Sequence, residues 1–282
     1  MQQDTFRFRL YKDRLFKAAV ILFSFSSALP LLFILFYIFK NGIAVINWQF
    51  LTNLPKPVGE TGGGISNAIV GTGMLLSVSC VLAIPLGICA GIYLSEHKEG
   101  RLSYLVRLCV EILQGIPSIV IGIIAYVWIV MPLRTFSAVS GGIALAIMML
   151  PVIVRSAEET LKLIPDSLKE ASLSLGVPYY KTILKVVLPA GLSGVVSGVI
   201  LSIARVAGET APLLFTAFGN PFMNLNLLKP VNSLPLLVFN YAASPYPEWH
   251  AIAWGASLVL GVFVLLLNAF AKVMIKKWKV QF

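Results

Sequence analysis

The chain has 282 residues, of which 58% are hydrophobic and only 12% charged, with a formal net charge of +10. A soluble domain of this length carries roughly twice that share of charge, so the composition excludes an ordinary soluble protein and points to an integral membrane protein. Nucleic-acid binding has no support, because no basic, aromatic-interleaved soluble segment is present; excess Lys and Arg in a membrane protein belongs to loops facing anionic lipid.

Six apolar segments are long enough to span a bilayer: residues 18–39, 65–94, 105–130, 138–154, 188–218 and 250–271. The first follows a charged tail (1–17). It is too long for a signal-peptide core and lacks a small-residue cleavage site, so it reads as a retained span. The 41–64 stretch, rich in Pro and Gly, reads as an external loop. The second and fifth segments exceed the ~20 residues a span needs and are expected to tilt or to emerge from the bilayer. The fourth is short and ends at Pro151-Val-Ile-Val-Arg155. Within 220–248, Ser233-Leu-Pro-Leu-Leu-Val-Phe-Asn-Tyr-Ala-Ala243 is apolar but too short to span, which predicts an external or re-entrant helix. Backbone polar groups must be satisfied within lipid, and no barrel-type alternation is present. The fold class is therefore all-α, a polytopic bundle of six transmembrane helices forming one domain over residues 18–282.

Six spans place both termini on one side. That side carries 17 Lys and Arg, including Arg7, Arg9, Lys12, Arg14 and Lys17 at the start and Lys272, Lys276, Lys277 and Lys279 at the end. Lys40, Lys56, Arg134 and Lys229 lie opposite, and Arg205 lies inside a span. The positive-inside rule then makes both termini cytoplasmic. Cys80, Cys89 and Cys109 sit in apolar runs without metal or redox spacing and read as small core hydrophobes. His97 and His250 lack ligand-spaced partners and read as loop and interface residues.

One cytoplasmic loop, residues 155–187, is long and organised. Ser167-x-x-Glu170 reads as a capping box opening a short helix. Leu168, Ala171, Ser172 and Leu175 then recur at helical spacing as a small-residue apolar face. Gly176 suits a left-handed helix end, and Pro178 the first turn of a second helix. Glu170-Ala171-Ser172, three residues, Gly176, nine residues, Val186-x-Leu188-Pro189 resembles the "EAA" loop of bacterial ABC importer permeases, with Ser for the second Ala and Val for Ile. The resemblance implies a helix that docks on an ATPase subunit and carries its motion to the membrane helices. A plainer reading of Glu170 is a helix cap in a connector. The chain has no phosphate-cradling G-x-x-x-x-G-K-[ST]; Gly59-Glu-Thr-Gly-Gly-Gly64 is on the opposite side, follows no strand and precedes no Lys. ATP and Mg therefore belong on a separate ATPase chain, and no cofactor is expected on this one.

The fifth span places Arg205 and Glu209 near mid-bilayer, where an ionised side chain costs about 3 kcal/mol or more. On one continuous helix, Gly191, Gly194, Gly198, Ser202, Arg205, Glu209 and Pro212 share a face. The small residues favour close helix contact, and Arg205 and Glu209 at i, i+4 are expected to pair. A register-setting ion pair is one reading. A functional one is stronger, because such pairs stabilise weakly and an Arg fork suits an oxyanion. Gly208-Glu-Thr-Ala-Pro212 with Arg205 resembles the fifth span of the PstA-type phosphate-importer permeases. Pro117-Ser-Ile-Val-x-Gly122, Leu150-Pro-x-x-x-Arg155 and Ser233-Leu-Pro-Leu-Leu resemble that family too. The resemblance implies a phosphate pathway through Arg205 and Glu209, with Arg155 as a further pathway residue. It also implies a PstC-like second permease subunit in a heterodimer, two copies of an ATPase and an external phosphate-binding protein. Arg155 reads alternatively as a helix-end anchor paired with Glu158 or Glu159, and Glu111 as an interfacial carboxylate near Arg107. A permease for phosphonate, sulfate or molybdate remains an alternative, as does an anion secondary transporter lacking any docking loop. A phospholipid-processing enzyme would need a nucleophile or metal site, and none is apparent.

Overall fold

A computed structural model of the chain describes residues 2–60 and 62–277. Thr61 and Lys279 lie outside the described residues, as do the side chains of Arg7, Arg9, Lys276 and Lys277. Helix α1 (Gln2–Gly42) continues the N-terminal tail into the first span without a break. A short α2 (Trp48–Thr52), capped by Asn47, leads to α3 (Ser66–Glu96). Next come α4 (Arg101–Gly115) and α5 (Ser118–Ala125), which runs through a π-helical turn at Tyr126–Val130 into α6 (Met131–Leu133). The fourth span is α7 (Ala138–Lys162). After it lie α8 (Asp166–Ser174) and α9 (Tyr179–Thr182), the latter continuing through a π turn at Ile183–Val187 into α10 (Leu188–Ala190). The chain closes with α11 (Leu192–Val206), α12 (Ala211–Leu214), α13 (Leu234–Ala242) and α14 (Pro247–Lys277).

Among the described residues, four helices are each long and apolar enough to cross a membrane, and the number reaches six when each bent helix pair is taken as one span. The third and fifth predicted spans are the bent ones, at 108° and 69°. The first break lies at Ile116-Pro117. Proline drives the residue before it out of the helical region, and Ile116 sits at φ −74°, ψ 128°. The fourth span is longer than its apolar run: α7 carries Arg155, Glu158 and Lys162 onward because each finds a partner on its last turns or on a neighbour. Its start is fixed by a Ser137–Ser140 capping box.

Helices α3 and α7 form the centre and share the most extensive contact. Small residues allow it: a Cβ on Gly91 would lie 2.4 Å from the Ala157 Cβ. Within a membrane, helices gain little from apolar burial and associate instead through close packing of this kind. Helix α11 joins α7 the same way, with Gly194 against Thr160 and Gly198 against Ser156. Leu75, Leu145, Met149, Ile153, Leu213 and Leu236 fill one core between these elements. Helix α1 packs along α14, with Tyr37 edge-on to Trp254 at 5.1 Å, and from Leu15 onward otherwise presents its apolar side chains outward. Two of the three cysteines, Cys89 and Cys109, are exposed rather than in the core as expected, since each falls on an outward face of its helix; Cys80 is half-buried.

Candidate functional site

The fifth-span motif does not form one helix. Helix α11 ends at Val206, Ala207 to Thr210 make a turn, and Pro212 takes an early position in the short α12, where a proline's missing N–H is harmless. The turn is closed by Gly208 N–H to Arg205 carbonyl (3.3 Å) and Glu209 N–H to Val206 carbonyl (3.1 Å). Glycine at 208, with Pro212 four residues on, removes the helical continuity that would have set Glu209 above Arg205. The expected ion pair is accordingly not made. Among the described residues, neither side chain has an ion-pair or hydrogen-bond partner. Arg205 is exposed and Glu209 half-buried. Arg205 lies instead in the last turn of α11, where the negative end of the helix dipole favours a cation. The stripe divides at this point: Gly194 and Gly198 face α7, Ser202 is fully buried, and Arg205 leaves it.

Three motifs singled out in the sequence converge here. A Cβ on Gly122, at the end of the third-span motif, would lie 2.7 Å from the Cα of Pro212. The Thr216 hydroxyl donates to the Pro212 carbonyl at 2.7 Å, and the Thr216 carbonyl in turn accepts from Ser137 N–H and the Ser140 hydroxyl of α7. In the 233–237 motif, Leu234 N–H donates to the Thr72 hydroxyl of α3 at 2.9 Å. Ile121, Val206, Ala207, Leu213 and Leu236 belong to the same buried cluster. The broken fifth span, the bent third span and the 233–237 helix start thus form one packed unit, with Arg205 at its edge.

Arg155 pairs across helices with Glu111 of α4, Nη2 to Oε1 at 2.6 Å, not with Glu158 or Glu159. Glu158, only 2% exposed, takes Arg107 Nε at 2.8 Å and Lys162 Nζ at 2.6 Å. Arg107 also donates to the carbonyls of Leu94 and Lys98 at the end of α3. The expected neighbours are therefore exchanged: the angle between α4 and α7 sets Arg107 against Glu158 and Glu111 against Arg155. The i, i+4 spacing of Glu158 and Lys162 was legible in sequence; the pairs across helices had no local signal.

In the 155–187 loop, helix, turn and helix form as expected, and Gly176 adopts φ +76°. The Ser167–Glu170 capping box does not form. Pro165 occupies the cap position, so Ser167 already lies inside α8. Pro178 sits just before α9, one residue earlier than expected. The expected apolar face is split: Leu168 and Ser172 turn inward, whereas Ala171 and Leu175 point out with Glu170. Leu163 and Leu175 are each 83% exposed. Leu188 is half-buried and Pro189 exposed. Three further contacts carried no sequence signal. Lys169 Nζ meets Glu96 Oε1 at 2.6 Å, the Tyr179 hydroxyl donates to Glu96 Oε2, and the Ser172 and Thr182 hydroxyls meet at 2.9 Å in a buried position. The two histidines make local contacts, His97 stacked on Tyr93 and His250 against the Ser244 carbonyl.

The family described as binding-protein-dependent transport system inner membrane component matches residues 83–280. The phosphate transport system permease protein PstA of Yersinia pestis is 43% identical over 250 residues, 88% of this chain and 85% of that protein. The protein of the same description from Pasteurella multocida is 38% identical over 275 residues, 97% of this chain and 98% of that one. Among solved structures, the inward-facing MetNI methionine ABC transporter is similar with a TM-score of 0.60 at 18% identity, covering 77% of this chain and 95% of that chain. At that identity the likeness concerns the fold alone.

Proposed function

Because this chain belongs to the binding-protein-dependent transport system inner membrane component family, we propose that it is the phosphate-conducting permease subunit of an ATP-driven importer. It is a multi-pass membrane protein and a transport subunit of an ABC transporter, not a catalyst acting on its substrate. The observation that carries the substrate reading is the end-to-end similarity to phosphate permeases together with Arg205, unpaired among the described residues, beside the broken fifth span. A guanidinium offers hydrogen phosphate two parallel donors, and release requires that it not bind too strongly. In this proposal Arg205 lowers the barrier in the ion's path. Glu209 tempers its field from nearby without holding it, and Arg155, tied to Glu111, lines the path nearer the 155–187 loop.

The rest of the assembly follows from the same reading. The chain lies in a bacterial cytoplasmic membrane with both termini inside. A PstC-like permease subunit completes a heterodimer, a binding protein outside delivers phosphate, and of the two ATPase copies carrying ATP and Mg one docks on the loop that presents Glu170, Ala171 and Leu175. The charge pattern and the exposed leucines support this arrangement. The test is labelled phosphate uptake into proteoliposomes holding the full complex, with ATPase activity recorded beside it. Arg205→Gln is expected to abolish uptake while assembly and ATPase activity persist. Normal uptake by that variant would remove Arg205 from the path, and a wild-type complex that moves sulfate or molybdate but no phosphate would overturn the substrate.

A further inference from the structure

Glu96 is the last residue of α3, and a carboxylate there is placed against the negative end of the helix dipole. For the stability of α3 alone, a cation belongs at that position. Among the described residues, what offsets the misplacement comes from the 155–187 loop. Oε1 takes Lys169 Nζ from α8 at 2.6 Å, and Oε2 takes the Tyr179 hydroxyl from α9. The pair is well removed from water, the Glu96 side chain 9% exposed and Lys169 15%. Each loop helix is thus held by one oxygen of the same carboxylate. The two helices are also joined to each other, through the buried Ser172–Thr182 hydroxyl pair and the turn at Gly176. Beneath them Leu168 rests on an apolar pad of Ala157, Leu161, Ile164, Ile183 and Val187. Ile183 and Val187 of the pad continue α9, and Ile88 and Ile92 of α3 pack on the same cluster; the carboxylate adds a polar tie from the end of α3 to both loop helices.

The helix so held reaches the candidate pathway. Helix α3 runs from Glu96 to Thr72 in one piece, about 36 Å at 1.5 Å per residue. At its other end Thr72, Leu75 and Leu76 line the same small cavity as Val206 and Ala207, the residues just after Arg205. We propose that Glu96 is the positioning residue that joins the ATPase-docking loop to α3, so that a displacement of α8 and α9 moves α3 as one body and reaches the turn beside Arg205. The proposal rests on the reading of the loop as the ATPase contact and adds the residue through which its motion enters the membrane helices.

The experiment uses the full complex in proteoliposomes and two readouts. The first is phosphate taken up per ATP hydrolysed. Glu96→Gln, which keeps the shape but removes the charge, is expected to lower that ratio roughly 3- to 30-fold while ATP hydrolysis continues. Tyr179→Phe and Lys169→Met, each releasing one arm, are expected to fall between it and wild type. The second readout does not depend on the substrate: spin labels at native Cys89 of α3 and at Ser167→Cys of α8, in a background where Cys80 and Cys109 are serine. Their distance distribution is expected to be narrow and unchanged by nucleotide with Glu96 in place, and broad or nucleotide-dependent with Glu96→Gln. Should Glu96→Gln lose the ATPase subunit, Tyr179→Phe takes its place in both readouts. An unchanged ATP ratio with an unchanged, narrow distance distribution overturns the proposal. A wild-type complex with the narrow distribution that imports no phosphate overturns the substrate reading and leaves the Glu96 link standing.

Discussion

Gly122 is where the third span touches the fifth, and its substitution by alanine tests that contact. The added Cβ would stand 2.7 Å from Pro212 Cα and 3.2 Å from the Pro212 carbonyl oxygen. Carbon atoms rest at about 3.5–4 Å, so α5 and α12 must separate by roughly 1 Å. No side chain can swing aside, because the obstacle is backbone. Pro212 is itself buried, and its carbonyl is held by the Thr216 hydroxyl. Overpacking of this kind costs about 1–3 kcal/mol. At about 2–4 °C per kcal/mol for a chain of this size, the unfolding midpoint of the purified complex should drop by several degrees. The same displacement shifts the Gly208–Pro212 turn beside Arg205, and a 1 Å misplacement at a working site costs on the order of a hundredfold. Phosphate uptake should therefore fall further than stability alone predicts. Gly261→Ala is the control, since nothing lies within 4 Å of the Cβ it adds. If Gly122→Ala melts and transports like Gly261→Ala, the two broken spans do not meet at Pro212 and the convergence of motifs described above is wrong.

Glu158→Ala removes the buried counter-charge of Arg107 and Lys162, which stay partly open to water, and should destabilise the complex by about 1–3 kcal/mol, read from thermal unfolding in detergent. Ser137→Ala removes the cap of α7, whose hydroxyl accepts Ser140 N–H at 3.1 Å, and should cost about 1 kcal/mol in the same assay. The Arg155–Glu111 pair is more open, with Glu111 58% exposed. A double-mutant cycle with Arg155→Glu and Glu111→Arg should give a coupling of no more than about 1 kcal/mol, the swapped pair recovering part of the loss in uptake that each single change causes.

The apolar runs announced the spans, because a bilayer demands about 20 apolar residues whatever surrounds them. Gly176 likewise announced its turn, since few other residues accept a positive φ. What failed was continuity. A helical wheel drawn from Gly191 to Pro212 assumes an unbroken helix, and the chain bends at Gly191 and again after Val206. The glycine in the turn and the proline after it were visible, but the same residues occur in intact membrane helices, where neighbours satisfy the freed backbone groups. The ion pairs failed for a different reason. Sequence spacing names partners along one helix, whereas Arg107, Glu111, Arg155 and Glu158 choose theirs across the α4–α7 crossing. Glu96 was invisible for the same reason: its partners lie 73 and 83 residues away.

The absence of an Arg205–Glu209 bond changes what the two residues can be asked to do. A neutralised pair would be tolerated in lipid and would hold an anion poorly. An arginine at the end of α11, exposed on the surface of this chain, can be accommodated only where water or a second subunit meets it, which are also the places an ion could pass. The turn from Ala207 to Thr210 points the same way. Irregular backbone at membrane depth persists only where it is buried in protein or lines an aqueous cavity, and Gly208 is exposed on this chain. If the two charges act through a direct bond, Arg205→Gln and Glu209→Gln should be strongly non-additive, the second change mattering little once the first is made. With no bond between them and Glu209 only tempering the field of Arg205, the coupling read from residual uptake should stay at or below about 1 kcal/mol. Arg205→Gln alone should also lose more than Glu209→Gln alone, because in the proposed pathway it is the cation that meets phosphate. Strong coupling in that cycle would mean that the helix closes through residue 209 during transport and that the pair forms in another state of the permease.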